Sequence, residues 1–529
     1  MPRVTFGLMR FVRALGIAAF CSVSIFGLQS PEALRYFEQA RQSFQQQRWD
    51  EAKQAAEKAL AADRKMGDAE VLLGLICTAQ SQFNEAEQHF LRAVALEPQN
   101  YQAHLYLGST YLEQKRLPDA AKAFNQVLTL QPGNVAAHYN LGTMALAQDS
   151  PSEALKHFEA AARASRSEVP ARIGILECQL ILRNTQGAQA TAHQLETMLE
   201  DRDPRLLQVA ILLAQHGASR AAIPLIERVR RAYPDSFDVN YNLALAYFEA
   251  SQYVRAAEVL RPVANSTGKA EAFDLLGTIE EKQGRSKEAE QSFQEAARRE
   301  PANEDYRFDY GNSLVQHGDL NDALKVLRAA VSDLPKSAKL HTGLGSAWYL
   351  AGEYGNAARE LLESVRLDPN SATAYFLLGE AYESAGQLQP SIEEAFQKYL
   401  KTKPRDPWAF YHYATIQYAR GKAEGRSDYA DAVMNLNQAL RLNPNLAEAQ
   451  AQLGLIALDQ GHTEQGIHAL EKAVTLNPSL GQAHYRLGLA FQKLGNPARA
   501  KEELDRFRAL KNEESNGRRV RESLAQIGR

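Results

Sequence analysis

Apolar and small residues recur along the chain at helical spacing, and residues 101–134 show the pattern clearly. The first half of the stretch carries Leu105, Leu107, Tyr111 and Leu112, and the second half carries Ala120, Phe124, Val127 and Leu128 on one face. Side chains three, four or seven positions apart share one face of a helix, so the stretch predicts two amphipathic helices. Pro118 suits the opening of the second helix, and Pro132 cannot continue it. We expect Gly133 to accept the chain reversal that follows.

The same pattern returns every 34 residues over most of the chain. Glycine marks it at Gly74, Gly108, Gly142, Gly277, Gly311, Gly345, Gly379, Gly454 and Gly488. Such a fixed interval is typical of stacked repeats, in which each helix pair buries its apolar face only against its neighbours. The glycines are expected where two helices approach closely. Because the repeats fill most of the chain, little remains for a separate catalytic domain.

This repeat resembles the tetratricopeptide repeat family. If Tyr101 is position 1, the matching residues are Leu107, Gly108, Tyr111, Ala120, Phe124 and Pro132, whereas His104 and Val127 depart from the family pattern. We count about fourteen units between residues 33 and 514. The resemblance implies an all-α, right-handed solenoid (superhelix) of about fourteen tetratricopeptide-type helix pairs.

The regularity of the repeats divides the chain into segments. Residues 33–168 are predicted as an N-terminal block of repeats, 169–202 as a degenerate repeat, 203–514 as a C-terminal block and 515–529 as a capping helix. The degenerate repeat keeps Ala188 but lacks the Leu-Gly pair, the phenylalanine and the proline, which favours a soft joint there. The unit from residue 407 carries about six extra residues around 421–427, which we interpret mainly as tolerated loop length.

Residues 1–28 differ in kind from the repeats. Arg3, Arg10 and Arg13 precede an uncharged apolar stretch over residues 14–28. A basic start followed by such a stretch is typical of a secretory signal, and a membrane span needs about 20 residues. We therefore expect a cleaved signal peptide and an exported, periplasmic protein. The alternative is an uncleaved anchor that tethers the chain to the inner membrane.

Composition excludes some partners. The formal net charge is −3 and no long basic run interrupts the repeats, so a nucleic-acid partner is not expected. Cys77 and Cys178 lie three repeats apart, whereas a disulfide needs Cα atoms within about 7 Å. We expect them to remain unpaired, with Cys77 as a small buried residue.

No motif for a cofactor, a metal ion or catalysis is found, and we predict that the protein is not an enzyme. His104, His138, His341 and His484 occupy the same repeat position. Metal ligands must converge on one ion, whereas equivalent positions lie a repeat apart, so these histidines are interpreted as packing residues. Acidic side chains are expected mostly on solvent-facing surfaces.

The family resemblance implies where a partner would bind. First helices line the concave face, and their positions 2, 5, 6, 9, 12 and 13 contact an extended peptide. The candidate residues at positions 5, 6 and 12 are Tyr139, Asn140, Tyr241, Asn242, Phe248, Phe308, Tyr349, Phe376, Tyr411, Tyr418 and Tyr485. Packing between helices is an equally weighted alternative for these aromatic residues.

The predicted function is a non-enzymatic scaffold that binds a protein or an extended peptide and is exported to the periplasm. The alternative is a membrane-tethered assembly factor for an envelope, secretion or pilus system.

Overall fold

The computed structural model describes residues 30–165 and 168–513, and within these ranges it contains 28 α-helices and no strand. The predicted all-α solenoid class is therefore confirmed, while the handedness of the superhelix stays a prediction. The signal or anchor segment, residues 1–28, and the capping helix, residues 515–529, lie outside the described residues.

The chain forms two compact units, Met1–Asn242 and Leu243–Arg529. Helices of the first unit are α1 (Pro31–Gln45), α2 (Trp49–Ala62), α3 (Gly67–Ala79), α4 (Phe83–Leu96), α5 (Tyr101–Glu113), α6 (Leu117–Leu130), α7 (Val135–Ala147), α8 (Pro151–Ala164), α9 (Val169–Ile181), α10 (Thr185–Met198), α11 (Pro204–Gln215) and α12 (Ser219–Ala232). The boundary lies within helix α13 (Phe237–Glu249), downstream of the joint that the sequence predicts at residues 169–202.

Helices of the second unit are α14 (Tyr253–Thr267), α15 (Ala270–Lys282), α16 (Ser286–Arg299), α17 (Glu304–His317), α18 (Leu320–Asp333), α19 (Ala338–Leu350), α20 (Tyr354–Leu367), α21 (Ala372–Ala381), α22 (Gln389–Thr402), α23 (Pro407–Ala423), α24 (Ala430–Leu442), α25 (Ala447–Asp459), α26 (Thr463–Leu476), α27 (Gly481–Lys493) and α28 (Pro497–Glu513). Two short 3₁₀ helices, Tyr382–Ser384 and Gly386–Leu388, join α21 to α22.

The repeating glycines lie where the two helices of a pair meet. A Cβ atom on Gly108 would lie 2.7 Å from the ring of Phe124, sixteen residues later on the partner helix. In the second unit a Cβ on Gly311 would lie 2.4 Å from Leu327. Real Cβ contacts are not this short, so the predicted role of glycine in close helix approach is confirmed.

The two chain reversals of this repeat have different backbone conformations. Gly133 does not have a positive φ; in this repeat the left-handed residue is Lys115, with φ of 60°, in the turn between the paired helices. Asn134 follows Gly133 and caps helix α7 by accepting a hydrogen bond from the backbone N–H of Ala137 at 3.0 Å. Gly133 therefore lies in the turn before α7, as predicted, but it does not take the left-handed conformation, since a capped helix start does not require it.

The histidines at position 4 join successive repeats. Nε2 of His104 donates to the backbone oxygen of Pro98 at 3.0 Å, six residues earlier. The same bond is made by His138 to Pro132, His341 to Pro335 and His484 to Pro478, and by the amide of Asn240 to Pro234 and the guanidinium of Arg307 to Pro301. A carbonyl oxygen only accepts, so in these six repeats position 4 supplies a donor that ties the first helix to the end of the preceding repeat.

Candidate partner-binding surface

Ten of the eleven predicted contact residues, eight aromatic and two asparagine, are half-buried on first helices. In the first unit Tyr139 packs against Phe158, with ring centroids 5.7 Å apart, and Tyr241 stacks on Phe237 at 5.5 Å. Burial raises the pKa of Tyr139. These rings combine partial exposure with a rigid support, which suits contact residues.

The two predicted asparagines are less available than the sequence implied. Nδ2 of Asn140 donates to the backbone oxygen of Ala136 at 2.9 Å, and Nδ2 of Asn242 donates to that of Asp238 at 2.7 Å. One N–H bond of each amide is therefore used within its own helix. A partner can still be offered the other N–H bond and the side-chain oxygen.

Phe308 is a core residue rather than a surface contact. Its side chain is fully buried, and its ring lies 3.1 Å from the point that a Cβ on Gly343 would occupy. Leu327 lies 3.3 Å from the same point. Because Leu327 replaces the phenylalanine of other repeats, Phe308 supplies the missing aromatic volume from the first helix. The packing alternative is correct at this position.

Two predicted residues, Phe376 and Tyr411, belong to one aromatic cluster, which we define as Phe376, Trp408, Tyr411 and His412. Trp408 lies 5.9 Å from Phe376 and 5.8 Å from Tyr411, and His412 lies 5.2 Å from Phe376 and 4.9 Å from Tyr411, all between ring centroids. His412 is buried, whereas the other three rings are half-exposed. A buried imidazole thus supports three accessible rings.

His412 of the next repeat lies beneath this cluster. In the repeat that starts at residue 372 the fully buried phenylalanine of the second helix is Phe396, whose ring centroid lies 6.3 Å from that of His412. The space beside Gly379 is filled by His412 of the next repeat, whose Nδ1 lies 2.3 Å from the point that a Cβ on Gly379 would occupy. Sequence reasoning missed Trp408 and His412, although Trp408 lies at position 2, one of the contact positions.

Tyr418 and the inserted residue Lys422 form polar contacts with the next repeat. The insertion lengthens the first helix, since α23 has 17 residues where α5 has 13. Tyr418 and Lys422 both donate to Asp459 of the next repeat, Lys422 at 2.9 Å. Burial and the bond to Asp459 raise the pKa of Tyr418 to about 12, so its hydroxyl remains protonated. The inserted residues are thus partly helical rather than only an extended loop.

The remaining candidates pack against single aromatic neighbours. Phe248 lies 5.6 Å from Tyr253, Tyr349 lies 5.2 Å from Tyr354, and Tyr485 lies 5.1 Å from Phe507, between ring centroids. None of these three pairs brings two predicted contact residues together. The aromatic cluster does bring two of them together, since Phe376 and Tyr411 both contact Trp408 and His412.

Two acidic side chains are exceptions to the expectation that acidic residues lie mostly on solvent-facing surfaces. Burial, together with Asp309, raises the pKa of Asp274 to about 7, and burial raises that of Asp309 to about 6. Lys339 lowers both values in part, but it also donates to Asp305 at 2.7 Å. The two residues occupy positions 5 and 6 of adjacent repeats, which the sequence spacing alone did not bring together.

The degenerate repeat contains a cavity of about 710 Å³ lined in part by Ala188, Ala192, Leu213 and Leu225. Its repeat reverses the usual sizes, with Leu176 at position 8 and Ala192 at position 24. The small residue on the second helix leaves space that phenylalanine fills elsewhere.

Among the described residues, no helix is long and apolar enough to span a membrane, and no three histidine, cysteine or acidic side chains are grouped to hold a metal ion. Both described cysteines, Cys77 and Cys178, are buried free thiols. Burial raises the pKa of the Cys178 thiol to about 12.

Comparison with solved structures finds repeat proteins of low similarity. The Cut9–Hcn1 heterotetramer of the APC/C is 13% identical, with 94% of this chain and 96% of that chain covered and a TM-score of 0.35. The pilF protein of Pseudomonas aeruginosa is 21% identical, with coverages of 39% and 95% and a TM-score of 0.35. Yeast Tom70 is 12% identical, with both coverages 94% and a TM-score of 0.35.

Comparison with curated proteins finds no match. The family described as "Tetratricopeptide repeat" matches residues 37–100, 78–135, 118–169, 207–267, 275–337, 308–372, 351–407 and 451–515. These segments cover more than half of the chain. The chain therefore belongs to the tetratricopeptide repeat family.

Proposed function

We propose that this protein is a non-enzymatic scaffold, exported to the periplasm, whose aromatic cluster binds an extended segment of a partner protein. Family membership supports protein binding in general. The observation that carries the location is the contact of three half-exposed rings, Phe376, Trp408 and Tyr411, around buried His412. Aromatic residues on a fixed support offer a large contact area at small entropic cost.

A photocrosslinking experiment tests this location. A photoreactive phenylalanine replaces Tyr411 in one variant and Met434 in a matched control, because Met434 is 60% exposed on the second helix α24. We expect a partner protein to crosslink at position 411 and not at 434. Equal crosslinking at both positions, or none at 411, would contradict the proposed surface.

The identified partner segment then permits an affinity measurement. Truncation of a central aromatic contact typically costs at least about 2 kcal/mol, so Trp408→Ala should weaken binding more than tenfold. Met434→Ala is the control and should bind normally. If Tyr241→Ala combined with Asn242→Ala weakens binding more than Trp408→Ala, the main contact lies in the first unit instead.

The segment over residues 14–28 favours export and leaves one alternative, a membrane-tethered assembly factor for an envelope, secretion or pilus system. Mass spectrometry of the purified protein's N-terminus separates the two. Loss of residues 1–28 supports the exported scaffold, whereas retention of these residues in the membrane fraction supports the tethered factor.

A further inference from the structure

His138 and His157 face each other across the helix pair α7–α8, with their Nδ1 atoms 3.1 Å apart. Nε2 of His138 lies 2.9 Å from the backbone oxygen of Pro132. Because that oxygen only accepts, Nε2 of His138 carries a proton, and Nδ1 of a neutral His138 is an acceptor. Nδ1 of His157 then donates to it, and the two rings share one hydrogen bond.

This arrangement accepts one additional proton but not two. A proton on the outer nitrogen, Nε2, of His157 leaves the shared hydrogen bond in place. A further proton on Nδ1 of His138 removes the acceptor. Two N–H groups and two positive charges would then oppose each other at 3.1 Å, so the rings must separate.

The surroundings do not compensate a second charge. Burial and the charge of His138 lower the pKa of His157, and Glu153, one turn earlier on α8, opposes this in part. Within the described ranges, the flanking helices α6 and α9 contribute no charge that shifts the pKa of His157. Among the described residues, the one carboxylate that raises the pKa of His157 thus lies on its own helix.

At equivalent positions elsewhere in the chain a carboxylate faces the histidine. Nδ1 of His341 lies 2.7 Å from Glu360, and Nδ1 of His484 lies 2.6 Å from Glu503, each nineteen residues apart as His138 and His157 are. Burial opposes the charge of His341, but the bond to Glu360 outweighs it and raises the histidine pKa. Protonation therefore strengthens a histidine–carboxylate pair.

We propose that His138 and His157 form a pH-sensitive joint that holds α7 against α8 at neutral pH and releases them in acid. In an open or unfolded chain each histidine takes up its proton near pH 6.5. The closed pair takes up the second proton only at lower pH. Below about pH 6.5 the open form therefore binds more protons than the closed form. The equilibrium constant for opening should then rise up to about tenfold per pH unit for each proton that the closed pair lacks relative to the open form.

Hydrogen exchange of the full chain from pH 7.5 to 5.0, corrected for intrinsic exchange rates, tests the joint. The opening constant of peptides within residues 135–164 should rise up to about tenfold per pH unit below pH 6.5, while that within 338–367 should not rise. His157→Glu converts the pair to the form of His341 and Glu360 and should remove the rise. Glu360→His should create the rise in residues 338–367.

A second variant keeps the test decisive if His157→Glu folds poorly. His138→Asn retains a donor for Pro132, as Asn240 does for Pro234 at 2.7 Å, and has no titrating ring. It should also remove the pH dependence. The proposal is overturned if the wild-type exchange in residues 135–164 is independent of pH, or if its rise persists in either variant.

Discussion

Residues 101–134 and 304–337 build the same helix pair from different residues. In the first repeat Gly108 meets Phe124, whereas in the second Gly311 meets Leu327 and the phenylalanine is Phe308 on the other helix. The comparison teaches that a repeat needs a given apolar volume between its helices, and that either helix can supply the ring.

The turns between the paired helices also use different residues in these two repeats. Lys115 takes the left-handed conformation with φ of 60°, and Gly318 takes it with φ of 91°. Non-glycine residues occupy this position in the repeats before residue 200 and in one later repeat, at Gln47, Ser81, Lys115, Asp149, Arg183 and Ser251. A left-handed backbone costs an L-residue roughly 1–2 kcal/mol, so the later repeats use the less strained solution.

The largest expected effect comes from removing the ring in either repeat. Phe124→Ala and Phe308→Ala should each lower the free energy of unfolding by about 3–5 kcal/mol, because both side chains are fully buried. Urea unfolding combined with hydrogen exchange measures the loss and its location. If Phe308→Ala has normal stability but binds the partner more weakly, Phe308 is a contact residue. The two repeats would then not be comparable in how they supply the ring.

An intermediate effect should follow from filling the glycine side of the contact. Gly311→Leu should overpack the pair against Leu327 and lower the free energy of unfolding by about 1–3 kcal/mol. Gly355→Leu is the matched control, since a Cβ at Gly355 would meet no atom within 4 Å. Thermal melting of both variants compares them, and equal melting would show that the close contact at Gly311 does not limit packing.

The smallest effects concern the turns and should have opposite signs. Gly318→Ala should destabilise by about 1 kcal/mol, because alanine is strained in the left-handed region. Lys115→Gly relieves that strain but adds unfolded-state entropy, so it should stabilise by less than about 1 kcal/mol. Hydrogen exchange of the amides that flank each turn, measured in the full chain, reports both changes in local stability. Shifts of the same sign would contradict the strain argument.

The candidate surface was predictable in part. Helix-face positions correctly placed Phe376 and Tyr411 on first helices, where both rings are half-exposed. They did not reveal that Trp408 and His412 join these rings, because His412 comes from the next repeat and lies beside Gly379 of a different helix. The spacing along one helix does not show which side chain of another helix lies beside a glycine.

The sequence by itself determined the repeat length, the all-α class and the placement of glycine where two helices approach closely, because these depend on local spacing that recurs along the chain. The tertiary structure alone decided that Phe308 is buried, that Lys115 takes the left-handed conformation and that His138 meets His157 rather than a carboxylate. Each of these outcomes depends on what the facing helix contributes to a shared volume or hydrogen bond, and a periodic pattern read along one helix does not contain that information.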